Sequence, residues 1–229
     1  MLGQLGAMAS ERTLRAPVQM RAHKTRAALL EAAEREFSER GYESTTAKSI
    51  AERAQVATGS FYQYFPEKDA VLCELARART AQLAERVRAV AAIAPKGRSP
   101  RQHARQAVRR IVAEVLHYHR ADVGLHAVLT ERRHADPAID AVDRASERNF
   151  VEQIEASLAQ WKYQGDRRAA AFVIFGLIEG AVHSHVLGTR MLSDRRLVEA
   201  LADAVLTLVQ AGLPNEGETR RGVHSASAG

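Results

Sequence analysis

The segment "TGSFYQYFPEK", residues 58–68, gathers hydroxyls, an amide, aromatic rings and a lysine in one short run. Four of the chain's few aromatic residues, Phe61, Tyr62, Tyr64 and Phe65, fall within it, from a total of one Trp, five Tyr and six Phe. Hydroxyl and amide side chains hydrogen-bond to base edges and phosphate oxygens, so the chemistry on offer is nucleic-acid contact. Phe61 and Phe65 stand four apart and share one helix face, with Val56 just ahead of them. These three can close a small core with Leu30, Phe37, Ile50 and Ala51. Thr58, Ser60, Tyr62 and Gln63 then point away from it, and Tyr64 reaches a phosphate from the far end. Gly59 lets the helix start approach a partner closely. Lys68 opens the next helix, where free backbone N–H groups already favour an anion. The alternative for Tyr62 and Tyr64 is packing with solvated tips. For Thr45 and Thr46 it is helix capping, with Thr45 as the N-cap.

The nine histidines raise a second chemistry. Glu114-x-x-His117 and Glu131-x-x-His134 have the spacing found in di-iron carboxylate bundles, where further glutamates such as Glu152, Glu155 and Glu179 would complete the site. The two units lie on either side of a break near Ala121–Asp122, which argues against one shared centre. Glu179 and His183, at i and i+4, share a face and either bind a metal or hydrogen-bond each other. The chain lacks a G-x-S-x-G motif, a P-loop and an activated-cysteine signature. The expectation is therefore a protein that is not an enzyme, with no cofactor and no metal.

The elements that must position these residues are helical. Ala, Leu, Glu and Arg dominate the 229 residues, while Gly and Pro are sparse. Apolar residues recur at spacings of three and four almost throughout. Helices are predicted over 21–40, ending at Gly41; over a short stretch after Thr45; over a second short stretch ending at Pro66; and over 67–93, broken by "APKGRSP". Five more follow at about 101–120, 122–134, 137–162, 166–188 and 194–211. The fold class is all-α, about nine helices: a three-helix helix-turn-helix bundle over 20–66 and a larger body over 67–213. Residues 1–19 read as a disordered leader and 214–229 as a disordered tail. No apolar run reads as a membrane span. The single cysteine, Cys73, excludes an internal disulfide and fits a reducing cytoplasm. Net charge is +6, yet residues 20–70 carry eight Lys/Arg and eight Asp/Glu. If this part binds DNA, the placement of charge must do what bulk charge does not. Arg21, His23, Lys24 and Arg26 form a basic start to the first helix.

Residues 45–71, with the helix before them, strongly resemble the DNA-binding domain of TetR-type transcriptional regulators. Thr45-Thr46, Ile50-Ala51, Ala54, Val56, Gly59, Tyr62, Tyr64-Phe65 and Lys68 match the family pattern. The resemblance implies phosphate contacts from Thr46, Lys48, Tyr64 and Lys68, and recognition-helix positions at Thr58, Gly59, Ser60, Tyr62 and Gln63; Thr45 joins the expected DNA-contacting residues as one that can cap and touch phosphate together. The chain departs from the pattern twice. Gln55 replaces a turn glycine and is expected to hold a left-handed conformation. Ala57 replaces a capping serine or threonine.

The resemblance also implies a homodimer formed by the last two helices, a palindromic DNA operator and a small-molecule effector. The helix over 166–188 is apolar nearly all round, with a small-residue stripe of Ala169, Gly176, Gly180 and Ser184. With Leu197, Leu201, Val205 and Leu208 of the last helix it forms the expected dimer interface. Expected effector-lining residues are Tyr118, Leu125, His126, Leu129, Phe150, Ile154, Trp161, Phe172 and Phe175, which favour an apolar or aromatic compound. The resulting expectation is a one-component regulator, a repressor released by its effector through the long fourth helix. The alternative is a helical DNA-binding regulator with no effector.

Overall fold

The computed structural model describes the backbone of residues 3–91 and 100–212, and the side chains of 20–91 and 105–212. Among the described residues it is all-helical, in the order α1 (Gly3–Ser44), α2 (Ala47–Arg53), α3 (Thr58–Tyr64), α4 (Lys68–Ala91), α5 (Pro100–Ala121), α6 (Val123–Arg132), α7 (Pro137–Gln160), α8 (Arg167–Leu187) and α9 (Asp194–Ala211). The all-α expectation holds. The α1 backbone is helical from Gly3, through most of the segment expected as a leader. Most of the "APKGRSP" break and the expected tail at 214–229 lie outside the described residues.

The chain forms two compact units. One comprises Met1–Arg77 with Gly124–Ile139, the other Ala78–Val123 with Asp140–Gly229. The division falls within α4 rather than at residue 66, and it assigns α6 to the N-terminal unit.

In the first unit, Leu29, Ala33 and Phe37 recur every fourth residue along α1 and are completely buried. They join Ile50 and Ala51 of α2, Phe61 of α3, and Val71 and Leu72 of α4 in the core. Leu29, in phase with Ala33 and Phe37, takes the inward place expected of Leu30, which is half-buried. Gly41 breaks α1 at φ 74°, a left-handed value suited to glycine. The cap of α2 is Thr46 rather than Thr45. The Ser49 N–H donates to Thr46 Oγ1 at 3.0 Å and the Thr46 N–H donates to Ser49 Oγ at 3.1 Å, a reciprocal capping box. Gln55, in the α2–α3 turn, has φ 58°, as expected where the turn glycine is missing. Ala57 starts α3 with no side-chain cap. Phe65 is extended (φ −138°, ψ 127°), the geometry that Pro66 imposes on the residue before it. Helix α6 lies against α1 so closely that a Cβ on Gly124 would sit 2.0 Å from the Ser38 carbonyl oxygen. Tyr42 is buried, stacks on Phe37 and donates its hydroxyl to Asp69 at 2.5 Å. Burial first, then that hydrogen bond and the Asp69 charge, push its phenol up to about 12.

In the second unit one core is built from α5 (Val108, Val112, Val115, Leu116), α7 (Val151, Leu158), α8 (Ala171, Ile174, Val182) and α9. Leu197, Leu201 and Val205 of α9 belong to this core. They are therefore not the free interface residues expected from sequence: an amphipathic helix spends its single apolar stripe on the nearest core. Leu208 remains exposed. Helix α8 has apolar surface to spare. Its inner side is buried, while Ala169, Phe172, Val173, Gly176, Gly180 and Ser184 are exposed. By length and composition, with a window of mean hydropathy 1.6, α8 alone among the described helices would pass for a membrane span. This corrects the expectation that no such run exists.

Two measurements follow from this geometry. Gln55→Gly should stabilise the protein by about 0.5–1 kcal/mol: the left-handed cost of a non-glycine residue is relieved, less the greater freedom glycine gives the unfolded chain. Urea denaturation checks this. His119 is buried with Nδ1 2.8 Å from the Val115 carbonyl oxygen. Burial holds its pKa below the ordinary 6.5, although the Glu179 charge and the Val115 carbonyl oppose the shift. The unfolded chain then binds the proton more readily. The His119 contribution is fully present above about pH 6.5 and is lost as pH falls through the depressed folded value. Unfolding midpoints taken from pH 8 downward should therefore fall in the acid range, and less steeply for His119→Asn.

Candidate functional site

Helix α3 has only seven residues, too few to be stable alone in water. Its position is set by Phe61, completely buried, and Phe65, 3% exposed, whose ring centroids lie 5.8 Å apart. The Arg26 guanidinium lies 5.2 Å from the Phe65 ring centroid and also pairs with Glu74. With those two rings inward, the opposite face of α3 is open. Tyr62 is 59% exposed and meets Phe61 edge-on. Gly59 and Gln63 are exposed, and Thr58, Ser60 and Tyr64 are half-buried. A Cβ on Gly59 would meet nothing within 4 Å. The α2 start adds Thr46 and Lys48, both exposed, with the Lys48 ammonium 3.8 Å from Glu52.

Two expected contact residues have partners within the unit. Thr45 is completely buried and donates its hydroxyl to the Gly41 carbonyl at 2.7 Å. It closes the end of α1 and is not on the exposed face. The Lys68 ammonium donates to the carbonyls of Tyr42 at 2.8 Å and Thr45 at 3.0 Å, and stands 3.9 Å from the Tyr42 ring centroid. Those bonds fasten α4 to the α1–α2 connection and occupy two of the three ammonium donors expected to meet phosphate.

Electrostatics holds α2 in place. The Arg53 guanidinium donates to Glu36 through Nε at 2.7 Å and to both oxygens of Glu39 at 2.9 and 2.6 Å. The Glu36 side chain is nearly inaccessible. Burial pushes its carboxyl up, but the hydrogen bonds from Ser49 and Arg53 and the charges of Arg53 and Arg40 outweigh it and leave the carboxyl below its ordinary value. The sequence had offered Arg53 and Glu36 only as members of a balanced charge count.

The second unit contains a cavity of about 430 Å³. Four of the expected effector-lining residues, Phe150, Ile154, Trp161 and Phe175, line it, together with Leu83, Val87, Ile111, Gln153, Ser157, Ile178 and Glu179. The other five do not. The Tyr118 ring is buried under Arg79, whose guanidinium lies 4.6 Å from the ring centroid, and its hydroxyl donates to the Arg79 carbonyl. Leu125, His126 and Leu129 belong to α6 in the first unit. Phe172 is 58% exposed on the outer side of α8. Glu179 lies 3.0 Å from His183 Nδ1, the hydrogen-bonding arrangement that their spacing allowed. The expected Glu-x-x-His units also part company: Glu114 pairs with Arg86 in the second unit, while Glu131 and His134 belong to the first.

A short helix with a buried aromatic face and an outward polar face, preceded by a capped helix and a tight left-handed turn, defines a helix-turn-helix DNA-binding module. The chain belongs to the TetR family of bacterial regulatory proteins. The model for bacterial regulatory proteins of the tetR family matches residues 29–75, and the tetracyclin repressor-like C-terminal domain matches residues 104–208. Members of this family are DNA-binding transcriptional regulators rather than enzymes. Residues here are 50% identical over 44 positions to the HTH-type transcriptional regulator HbdR of Aromatoleum sp. (strain CIB), covering 19% of each chain. An uncharacterized HTH-type regulator, YuxN of Bacillus subtilis (strain 168), is 38% identical over 47 positions, 20% of this chain and 16% of that protein. The match thus spans no more than 19% of the length of either relative. The fold is also that of a regulator assigned to the TetR family from Mesorhizobium loti MAFF303099, with TM-score 0.68 at 20% identity over 83% of this chain and 97% of that one. The fatty acid degradation regulator FadR from Bacillus halodurans gives TM-score 0.65 at 22% identity over 80% and 94%.

Lys68→Met keeps the aliphatic stem and removes the ammonium. Loss of two charge-assisted hydrogen bonds should lower stability by about 2 kcal/mol, seen as a lower urea midpoint without DNA present. A residue serving only as a phosphate contact would leave that midpoint unchanged.

Proposed function

We propose that the protein is a one-component cytoplasmic transcriptional repressor without catalytic activity. It binds a palindromic operator as a homodimer and is released by a small apolar or aromatic effector. The observation that carries this reading is the division of α3 into two faces, with Phe61 and Phe65 in the core and Tyr62 and Gln63 exposed. The outward set of Thr58, Gly59, Ser60, Tyr62 and Gln63 reads base edges. Thr46, Lys48 and Tyr64 hold phosphates on either side.

The exposed face of α8 supports the dimer. Phe172, Val173, Gly176 and Gly180 line its outer side, with 58% and 51% of Phe172 and Val173 accessible. A Cβ on Gly176 or Gly180 would meet nothing within 4 Å, so a partner helix can approach closely. Such an apolar stripe marks an interaction surface. A two-fold axis through it would present two reading heads to an inverted repeat. The second-unit cavity, with its aromatic wall, suits the effector. Helix α4 contributes Leu83 and Val87 to that wall and its first turns to the DNA-binding unit.

The reading is tested by selecting bound fragments from random DNA and titrating the enriched site by fluorescence anisotropy. An inverted repeat should emerge, bound by a species of twice the 25.2 kDa chain mass in light scattering. Gly180→Arg should give monomers that lose most of the affinity. Lys48→Ala should weaken binding to all sequences and reduce the salt slope by about one, whereas Gln63→Ala should relax base preference. Enrichment of no sequence, or a monomer that binds as tightly as wild type, would sink the proposal.

A further inference from the structure

Gln153 lines the second-unit cavity, and its side chain carries a polar atom that none of its neighbours satisfies. Gln153 lies on α7 among the aromatic residues of the wall, between Phe150 and Ile154. Its Nε2 is buried and has no hydrogen-bond partner among the described residues. Three polar neighbours on the same wall are already engaged. Ser157 Oγ donates to the Gln153 backbone carbonyl at 2.9 Å, Glu179 lies 3.0 Å from His183 Nδ1, and Arg88 pairs with Glu85. An unmet buried amide donor costs about 1–3 kcal/mol, and buried polar groups in native structures nearly always have a partner. Water is a poor candidate for that partner in a mainly apolar space, because a buried water itself needs two to four polar contacts.

We infer that Gln153 is the polar handle of the effector site. The ligand class is a neutral, mainly apolar compound with an aromatic ring and one hydrogen-bond acceptor, a carbonyl or ether oxygen, that meets Gln153 Nε2. Neutrality follows from the wall. Its two charged side chains, Glu179 and Arg88, already pair with His183 and Glu85, so a charged ligand would have to displace those partners. The inference rests on the effector reading of this cavity proposed above.

The probes are a matched pair, benzophenone and diphenylmethane, which share two rings and differ by the carbonyl. Trp161, the only tryptophan of the chain and part of the cavity wall, reports binding through its fluorescence. The full chain should bind benzophenone about tenfold more tightly than diphenylmethane, the effect of filling one orphan donor. In Gln153→Leu the ratio should fall to about one with diphenylmethane still bound, and the ligand-free protein should melt at a higher temperature. Gln153→Met serves the same purpose should the branched side chain disturb packing. Equal affinity for both probes in the wild type, or a ratio that survives in both variants, overturns the role of Gln153 while leaving the effector cavity standing. Failure of both probes to bind overturns the cavity reading and this inference together.

Discussion

A helix of seven residues cannot hold its own shape in water, because nucleation costs more than so few hydrogen bonds return. The placement of α3 therefore depends on Phe61 and Phe65 being buried, and every outward residue of α3 inherits its direction from that burial. Phe61 meets a core already closed by Leu29, Ala33 and Phe37 of α1 and by Ile50 and Ala51 of α2. Loss of either ring would turn the polar face as well as weaken the core, since side chains on opposite sides of one helix move together.

The remaining fastenings of the first unit spend polar groups on the same end. Thr45 ties back to Gly41, Lys68 spans two carbonyls at the α1–α2 connection, and Tyr42 holds Asp69 from below the Lys68 ammonium. Arg53 joins Glu36 and Glu39 at the end of α2. These bonds compensate for two weak points in the chain path, a strained Gln55 and an uncapped Ala57. A reading head with a poor turn and a poor cap is held by its neighbours rather than by its own local sequence.

Helical period was enough to place the elements, since apolar residues at every third or fourth position leave few choices of register. Gln55 was also legible, because a residue standing where a turn needs φ > 0 must adopt it. Thr45 and Thr46 show where such reading stops. Adjacent threonines are equal as caps by type, and only Ser49, three residues after Thr46, distinguishes them; that capping-box spacing was present in the sequence. The reach of Lys68 to carbonyls 23 and 26 residues earlier had no local signal, since it depends on the tertiary path. Gln153 had none either: a glutamine on an amphipathic helix reads as solvated until the packing of its neighbours is known.

Helix α8 explains why the second unit divides as it does. Helix α9 has already used its apolar stripe on α5 and α8. Helix α8 is apolar on both sides. Ile174, Phe175 and Ile178 face the cavity or the core, while Phe172, Val173, Gly176 and Gly180 face outward. One helix therefore borders both the cavity and the exposed face. A molecule that fills the cavity can influence the outer face only by favouring one position of α8 over another, and by no more than its difference in affinity for the two. An apolar ligand held by a single polar contact suits that role. In the effector reading proposed above, its shape against Phe175 and Ile178 would set where α8 rests, and the hydrogen bond at Gln153 would fix the ligand's orientation without charge.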